Sequence, residues 1–301
     1  MYISKTLIVI PVYNGVNFIS RSLESCLKQS VPTDICVVDN NSTDGTPIIL
    51  KEFAQKYNQI TIVNNDTNCG RMANWNRCID YFMDNKKYEY LKFVFCGDEI
   101  FEDCIAESEK AFKIDNEIGA IAFPYEFFHK NGRVSISRHS EYSNQIFDPK
   151  EITKINLCEG QLLGAIICNV YAKHAIRNFR FDTNFISKSK FDIHVLEDKK
   201  AYYLDKILAR FNLDCHNTFN LANSPYVKTE FSYIELKELH RISQKDTFTI
   251  NEVNYIEQKI VFNTILRLIP YMNIYSVLII PFKIFTLFLK NSFQKIYDKY
   301  N

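Results

Sequence analysis

Between Thr6 and Phe123, short apolar runs alternate with segments of helical period, and no other feature of the sequence narrows the fold as much. Thr6–Ile10 has the β-branched pattern of a strand buried on both faces, and Pro11 is expected to end it. Asn14-Gly15 reads as a turn and N-cap, after which Ile19, Leu23, Cys26 and Leu27 recur at helical spacing. Ile35–Val38 is a second buried strand. Thr46 and Pro47 read as N-cap and first helical position, where the missing N–H of proline costs nothing, and Ile49, Phe53 and Tyr57 continue that helix. Ile60–Val63, Leu91–Cys96 and Ile118–Phe123 are further strands, and Met72, Trp75, Ile79 and Phe82 mark another helix. The alternation predicts an α/β fold with a mostly parallel central sheet flanked by helices.

In such sheets ligands sit outside the carboxyl ends of the strands. Four polar clusters fall at those ends: Tyr13-Asn14, Asp39-Asn40-Asn41, Asn68 to Arg71, and Gly97-Asp98-Glu99. No GxGxxG follows the first strand and no GxxxxGK[ST] occurs, which disfavours a dinucleotide site and a P-loop. A divalent ion on a carboxylate would neutralise phosphate charge instead, and Mg²⁺ or Mn²⁺ takes one or two protein carboxylates together with phosphate oxygens. "KFVFCGDEIF", Lys92 to Phe101, offers Asp98 and Glu99 just past a strand, with Gly97 allowing close backbone approach. The plainer reading is that both acids cap the following helix.

The 301-residue chain is 47% hydrophobic and 24% charged, enough for a sizeable core, and its formal net charge of +1 gives no sign of nucleic-acid binding. Its nine cysteines form no CxxC pair, so reduced, buried thiols of a cytosolic protein are expected, with neither a disulfide frame nor a zinc site. The N-terminus has no basic n-region or cleavage site, and no signal peptide is expected. Tyr125–Pro149 is irregular and reads as a loop or hairpin over the site, and Gly160–Ile176 as core. Ile260–Lys290 is strongly apolar. Its Tyr271–Leu289 part approaches the length of a membrane span, but Pro281 and Lys283 argue for an interfacial helix pair with lysines at the headgroups. A helical hairpin packed on the protein's own core is the alternative.

Taken together and in order, "IPVYNG", "VVDNNSTDGT", "NCGRMANWNRCID" and "FVFCGDEIF" resemble the family-2 glycosyltransferases, inverting sugar-nucleotide enzymes of the GT-A (Rossmann-like) fold. The resemblance covers the first 125 residues well and continues more weakly to Phe219. It implies that Pro11, Tyr13 and Asn14 belong to the first-strand motif, whose aromatic packs on a nucleobase. Asp39 matches the acid that accepts a hydrogen bond from uracil, with Asn41 and Asp44 in the loop beside it; Asp44 is read as a turn or cap residue. Asn68, Gly70 and Arg71 match the segment approaching the nucleotide, with Asn74 following and Arg71 pairing with phosphate or base. Asp98 matches the metal position, supported by Glu99 and Gly97. Members often carry Asp where this chain has Cys96 or Gly97; cysteine is a soft ligand for Mn²⁺ or Mg²⁺, so Cys96 is read as packing.

Inverting transfer also needs a general base. Asp192, Glu197 and Asp198 are the candidates, and "YYLDKILARF", which resembles the family's late strand, favours Asp192 by spacing. Glu197 and Asp198 read equally as a solvated helix face balanced by Lys199 and Lys200. His216 stands where some related enzymes place a histidine near the diphosphate and is the third metal-ligand candidate. The other histidines suggest no site.

The domains implied are residues 1–230, a GT-A domain with a nucleotide-binding part (1–100) and an acceptor part (101–230), and residues 231–301, a helical, apolar and basic extension. The function implied is transfer from a nucleotide-sugar, a UDP-sugar, to a glycan or polyprenyl-linked acceptor in surface-polysaccharide synthesis. The enzyme would sit in the cytoplasm, peripheral to the inner face of the membrane. The alternative is a GT-A-like binding partner that has lost catalysis, motivated by Cys96 and Gly97. A nucleotidyltransferase is disfavoured, because the first loop lacks a Gly-rich, basic phosphate-binding pattern.

Overall fold

The computed structural model describes residues 4–158, 162–182, 188–215, 235–245 and 247–268. The chain divides into two units, Met1–Asn217 and Thr218–Asn301.

The first unit is built on an eight-stranded sheet of order β3-β2-β1-β4-β10-β6-β11-β9. Its strands are β1 (Thr6–Val12), β2 (Asp34–Asp39), β3 (Ile60–Asn64), β4 (Tyr90–Phe93), β6 (Ile118–Ala122), β9 (Gln145–Phe147), β10 (Asn169–Ala172) and β11 (Lys200–Tyr203). The four strands β3, β2, β1 and β4 are parallel, as expected, but β10 lies antiparallel between β4 and β6, and β9 is antiparallel at the edge. A second sheet, β5-β12-β7-β8, joins β5 (Glu99–Ile100), β7 (Tyr125–Phe128), β8 (Val134–Ser137) and β12 (Ala209–Asn212). The segment read as irregular, Tyr125–Pro149, is therefore largely strand: a β7–β8 hairpin followed by β9.

Alternation along the strands divides the core into two layers. Leu7 and Val9 of β1 point to the face covered by α3 (Arg71–Asp84), α5 (Pro149–Cys158), α6 (Lys173–Ile176) and α7 (Lys188–Val195). Ile8, Ile10 and Val12 point to the face covered by α1 (Ile19–Leu27), α2 (Thr46–Lys56) and α4 (Cys104–Phe112). The apolar stripes of these helices, such as Met72, Cys78, Ile79 and Phe82 of α3, meet the sheet as their spacing predicts.

Two expectations about the strand ends are corrected. β1 does not stop at Pro11 but runs to Val12, with Pro11 opposite Val38. Val9 O accepts from Val94 N on the β4 side and Val12 O accepts from Asn40 N on the β2 side, so alternation turns the nitrogen of Pro11 toward the β4 side. There β4 has already ended opposite Val9, and the missing N–H removes no ladder bond. β4 in turn is only Tyr90–Phe93, and the chain leaves the sheet before Cys96.

In the second unit, residues 235–243 are helical and α8 spans Ile250–Leu268. Thr249 and Glu252 form a capping box: Thr249 N donates to Glu252 Oε2 at 2.8 Å, and Glu252 N donates to Thr249 Oγ1 at 3.3 Å. Residues 269–301, where most of the expected interfacial helix pair falls, lie outside the described residues. Among the described residues no helix is long and apolar enough to cross a membrane.

The start of β1 depends on one buried side chain of α4. Glu109 Oε1 gathers Ser4 Oγ at 2.7 Å, Lys5 N at 2.8 Å, Thr6 N at 3.0 Å and Thr6 Oγ1 at 2.7 Å. Glu109→Ala leaves these donors buried without an acceptor. It should lower unfolding stability by about 2–3 kcal/mol, measured by chemical denaturation, with Glu109→Gln losing less.

Candidate active site

The parallel strands end at one edge and the loops that leave them interlock there. Tyr13, directly after β1, is 49% exposed, whereas Asp39, at the end of β2, is only 3% exposed. The Asp39 carboxylate is oriented by its own loop: Oδ1 accepts from Ser42 Oγ and, at 3.3 Å, from Ser42 N. Asn41 adopts φ +60° to make the turn, a conformation asparagine tolerates. Asn14, expected to cap α1, instead staples this loop: its Oδ1 accepts from Thr43 N at 2.8 Å and its N donates to Ser42 Oγ at 2.9 Å. The cap of α2 is also displaced by a residue or two. Asp44 Oδ1 accepts from Thr46 N at 2.9 Å, while Thr46 Oγ1 accepts from Gly15 N at 2.8 Å. Burial pushes the Asp44 carboxyl up, but hydrogen bonds from Thr46 and Val16 outweigh it and hold the group below its ordinary value.

A layer of side-chain amides joins the second cluster to the third. Asn40, 3% exposed, accepts at Oδ1 from Asn65 Nδ2 (2.9 Å) and Cys69 N (3.0 Å) and donates through Nδ2 to Asn68 Oδ1 (2.8 Å). Asn74 is buried as well. It accepts from Asn65 and donates to Val38 O at 3.2 Å, so it braces α3 on β2 instead of presenting its amide to a ligand. Asn68 likewise closes the loop, accepting from Gly70 N at 2.9 Å. Gly70 caps α3 at φ +84°, a region that favours glycine, and Arg71 opens the helix exposed at the ligand edge. Asn40 and Asn65 were missed as structural residues. Their signal in the sequence was only that both sit at strand ends beside other amides.

The fourth cluster is held more tightly. Gly97 adopts φ +100°, and a Cβ there would lie 2.3 Å from Cys215 Sγ. Asp98 is fully buried, and its Oδ1 accepts from Asn212 N at 3.0 Å. Glu99 opens β5, and its Oε2 accepts from Asn212 Nδ2 at 3.0 Å and faces Arg210 Nη1 at 3.9 Å. Glu99 is tied into the small sheet, and its carboxylate is held by Asn212 and Arg210 of β12, while the same Asn212 holds Asp98. His216 lies outside the described residues. Among the described residues no group of three His, Cys, Asp or Glu side chains is placed to hold a metal ion. Burial pushes the flanking thiols, Cys96 and Cys215, up to about 12, which keeps these soft donors protonated. The residues present fit a hard divalent ion only as a site with one protein carboxylate, Asp98, completed by phosphate oxygens and water.

Asp192, the expected general base, lies in α7 against Tyr171 of β10. It is 2% exposed in α7, with Oδ1 accepting from Tyr171 Oη at 2.8 Å and Oδ2 paired with Lys188 Nζ. A base must reach an acceptor hydroxyl, and here both carboxylate oxygens are committed within the protein. Of the alternatives, Asp198 pairs with Arg177, and Lys200, close behind it, donates to Glu117 O at the start of β6. That places Asp198 at the amino end of β6, away from the ligand edge. A cavity of about 400 Å³ also lies at that opposite edge, lined by Tyr88, Tyr90, Phe112 and Lys173 among others, and none of the four clusters reaches it.

A family model described as Glycosyl transferase family 2 matches residues 7–172. The chain is similar to minor teichoic acid biosynthesis protein GgaB of Bacillus subtilis (strain 168), 25% identical over 205 residues that make up 66% of this chain and 22% of GgaB. It thus spans less than a quarter of that relative's length. Among solved structures it is similar to S. aureus TarS 1-349 in complex with UDP-GlcNAc, with a TM-score of 0.63 and 16% identity, covering 88% of this chain and 73% of that one. It is also similar to the mannosyltransferase PcManGT from Pyrobaculum calidifontis in complex with GDP-Man and Mn²⁺, with a TM-score of 0.57 and 12% identity, covering 94% and 80%. At these identities the solved structures speak for the fold, and the expected GT-A architecture holds.

The Asp192–Lys188 pair yields a pH-dependent test. Burial pushes the Asp192 carboxyl above its ordinary value, while Lys188 and Tyr171 pull it back in part. A carboxyl raised in the folded state favours folding at low pH, and that contribution is lost as pH rises through the raised value. Lys188→Met removes the counter-charge. Its destabilisation should be about 3–5 kcal/mol at neutral pH and should shrink as pH falls through the raised value at which the carboxyl, now without its lysine, takes up a proton. Adding Asp192→Asn should restore most of the loss, read by equilibrium unfolding at neutral and at acidic pH.

Proposed function

The chain belongs to glycosyl transferase family 2, and from that membership we propose that it moves a sugar from a UDP-sugar onto a glycan or polyprenyl-linked glycan acceptor, with inversion, in the synthesis of a surface polysaccharide or teichoic acid-type polymer. The observation that carries this reading is the Asp39 carboxylate, buried at the end of β2, fixed by Ser42 and set one loop away from the exposed ring of Tyr13. An oriented carboxylate accepts the ring N–H of uracil, and an exposed aromatic beside it supplies a stacking surface for the base. Gly70 and Arg71 stand at the amino end of α3, and a helix N-terminus with a guanidinium beside it is suited to a diphosphate, which supports the reading. The GgaB resemblance supports a surface-polymer role.

In the proposed reaction the acceptor hydroxyl oxygen bonds to the anomeric carbon from the face opposite the diphosphate. The carbon–oxygen bond to phosphate breaks with its electrons, and the hydroxyl proton passes to a base. Mn²⁺ or Mg²⁺, held by Asp98, would supply Lewis-acid stabilisation of the leaving diphosphate. Arg71 adds positive charge on the same side. Asp192 is assigned here to anchoring α7, since its oxygens are engaged by Tyr171 and Lys188. The same engagement, with Cys96 and Gly97 in the acidic motif, favours a second reading: a GT-A-like partner that binds a nucleotide-sugar without turning it over.

A turnover screen of nucleotide-sugars with and without Mn²⁺ separates the two readings, with hydrolysis or transfer expected for the first and binding alone for the second. Asp39→Ala should weaken uridine-nucleotide binding about tenfold or more in a calorimetric titration, with the unfolding transition retained; unchanged binding would remove uracil recognition from this loop. Asp98→Asn should abolish the metal response of turnover.

The proposal also places the protein in the cytoplasm, peripheral to the inner face of the membrane through its C-terminal segment. Liposome flotation of the full chain on anionic vesicles is expected to exceed that of a chain ending near Asn251, and equal flotation would remove the tail from the membrane argument.

A further inference from the structure

We propose that Arg21 is a positioning residue of the transfer reaction, acting with Asp214 as a clamp that fixes the acidic loop carrying Asp98; this rests on the transfer reading above. Arg21 lies in α1 and reaches two segments remote from it in sequence. Its Nε donates to Gly97 O at 2.8 Å, while Nη1 and Nη2 donate to Asp214 Oδ2 and Oδ1 at 3.2 and 3.1 Å. A guanidinium is rigid and planar, so one side chain sets the Gly97 carbonyl and the turn after β12 in fixed relation.

The surroundings make that relation matter. Gly97 O also accepts from Asn212 Nδ2 at 2.8 Å, and Gly97 N donates to Ser22 Oγ at 2.8 Å. Ser22 Oγ in turn lies 2.8 Å from Asp98 O and 3.1 Å from Phe95 O. Every polar backbone atom of Gly97 is thus used, and its Cα face is covered by Cys215, the residue after Asp214. Asn212, two residues before Asp214, holds both Asp98 and Glu99. The turn at residues 212–215 and the loop at residues 95–99 therefore form one unit; Ser22 ties its loop to α1, and Arg21 ties both its loop and its turn there.

The Arg21–Asp214 pair contributes little to stability. Its side chains are 32% and 36% exposed, and ion pairs at that exposure are weakened by solvent. Its effect is on geometry. A displacement near 1 Å of groups that act on a transferring centre costs on the order of 100-fold in rate. Loosening the clamp would move the Asp98 loop without unfolding the protein.

The test compares the full-length wild type with Arg21→Met, Asp214→Asn and the exchanged pair Arg21→Asp with Asp214→Arg. Arg21→Met is expected to lower kcat about tenfold or more, with the donor KM within about threefold and little change in the unfolding midpoint. Asp214→Asn should follow in the same direction, and the exchanged pair should recover part of the loss. A second readout does not depend on turnover: alkylation of Cys215, mapped by mass spectrometry, should accelerate several-fold in Arg21→Met because the turn that carries it loosens, whereas loss of the guanidinium charge by itself would raise the thiol and slow the reaction. Wild-type kcat in both single variants, or a loss of kcat that only tracks a loss of folded protein, overturns the proposal, as does an unchanged alkylation rate in Arg21→Met. If the wild type turns over no nucleotide-sugar, the transfer reading falls while the alkylation arm still reads the clamp.

Discussion

The site depends on β1 being paired in parallel on both sides but over different lengths. Against β2 it stays in register to Val12 opposite Asp39; against β4 it is paired only to Val9 opposite Phe93. The sheet edge is therefore stepped. On the high side Asp39 emerges beside Tyr13, and on the low side the chain leaving β4 has room to turn through Cys96 and Gly97 and deliver Asp98. A strand ending flush with its neighbours would leave no space for that turn. Pro11 occupies the step itself, where its missing N–H faces a strand that has already stopped.

The step is rigid because side chains fill the hydrogen bonds that strands no longer supply. Polar groups along this edge, buried and exposed, are paired across loops: Asn14 with Thr43, Asn40 with Asn65, Asn68 and Cys69, Arg21 with Gly97 and Asp214; for the buried Asn40 an unpaired state would be costly. Behind the edge Lys92 does similar work inside the core. It is fully buried in β4, its ammonium donates to Ile167 O and to Asn169 O at 3.2 Å, and it lies 4.7 Å from the centroid of the Phe123 ring. Burial pulls it below its ordinary value. Those carbonyls lie at and just before the start of β10, so the lysine holds in place the antiparallel strand that interrupts the parallel order.

The alternation of apolar runs and the polar clusters that follow them were legible, because period and strand-end placement are local properties. So was Asp39, the acid at the end of a buried strand. The insertion of β10 and the small sheet were not, since they pair residues distant in sequence and Tyr125–Pro149 carries weak periodicity. Lys92 was readable in principle, as a lone charge inside "YLKFVF". Glu99 was legible as an acid next to Asp98, but its engagement by Asn212 and Arg210 of β12 was not, because β12 is distant in sequence. Asp192 illustrates a harder limit: spacing identifies an acid on a helix but not whether that helix turns it toward solvent or toward a lysine one turn earlier.

Cys96 stands where the resemblance led one to expect an acid, and its packing gives a physical reason for a thiol there. Its sulfur lies 3.7 Å from Gly15 O, and a Cβ built on Gly15 would come within 2.4 Å of it. The side chain thus fills a gap against the backbone of the Tyr13–Val16 loop. A carboxylate in that place would set two acceptors, its own oxygen and Gly15 O, against each other in a partly buried pocket, and would be repelled from it. Cysteine is a small, weakly polar filler there, and it keeps the first and fourth loops in contact. The acidic character of the motif then rests on Asp98 and on the backbone geometry that delivers it. That geometry is set by the left-handed turn at Gly97 and by the residues that bind its amide and carbonyl.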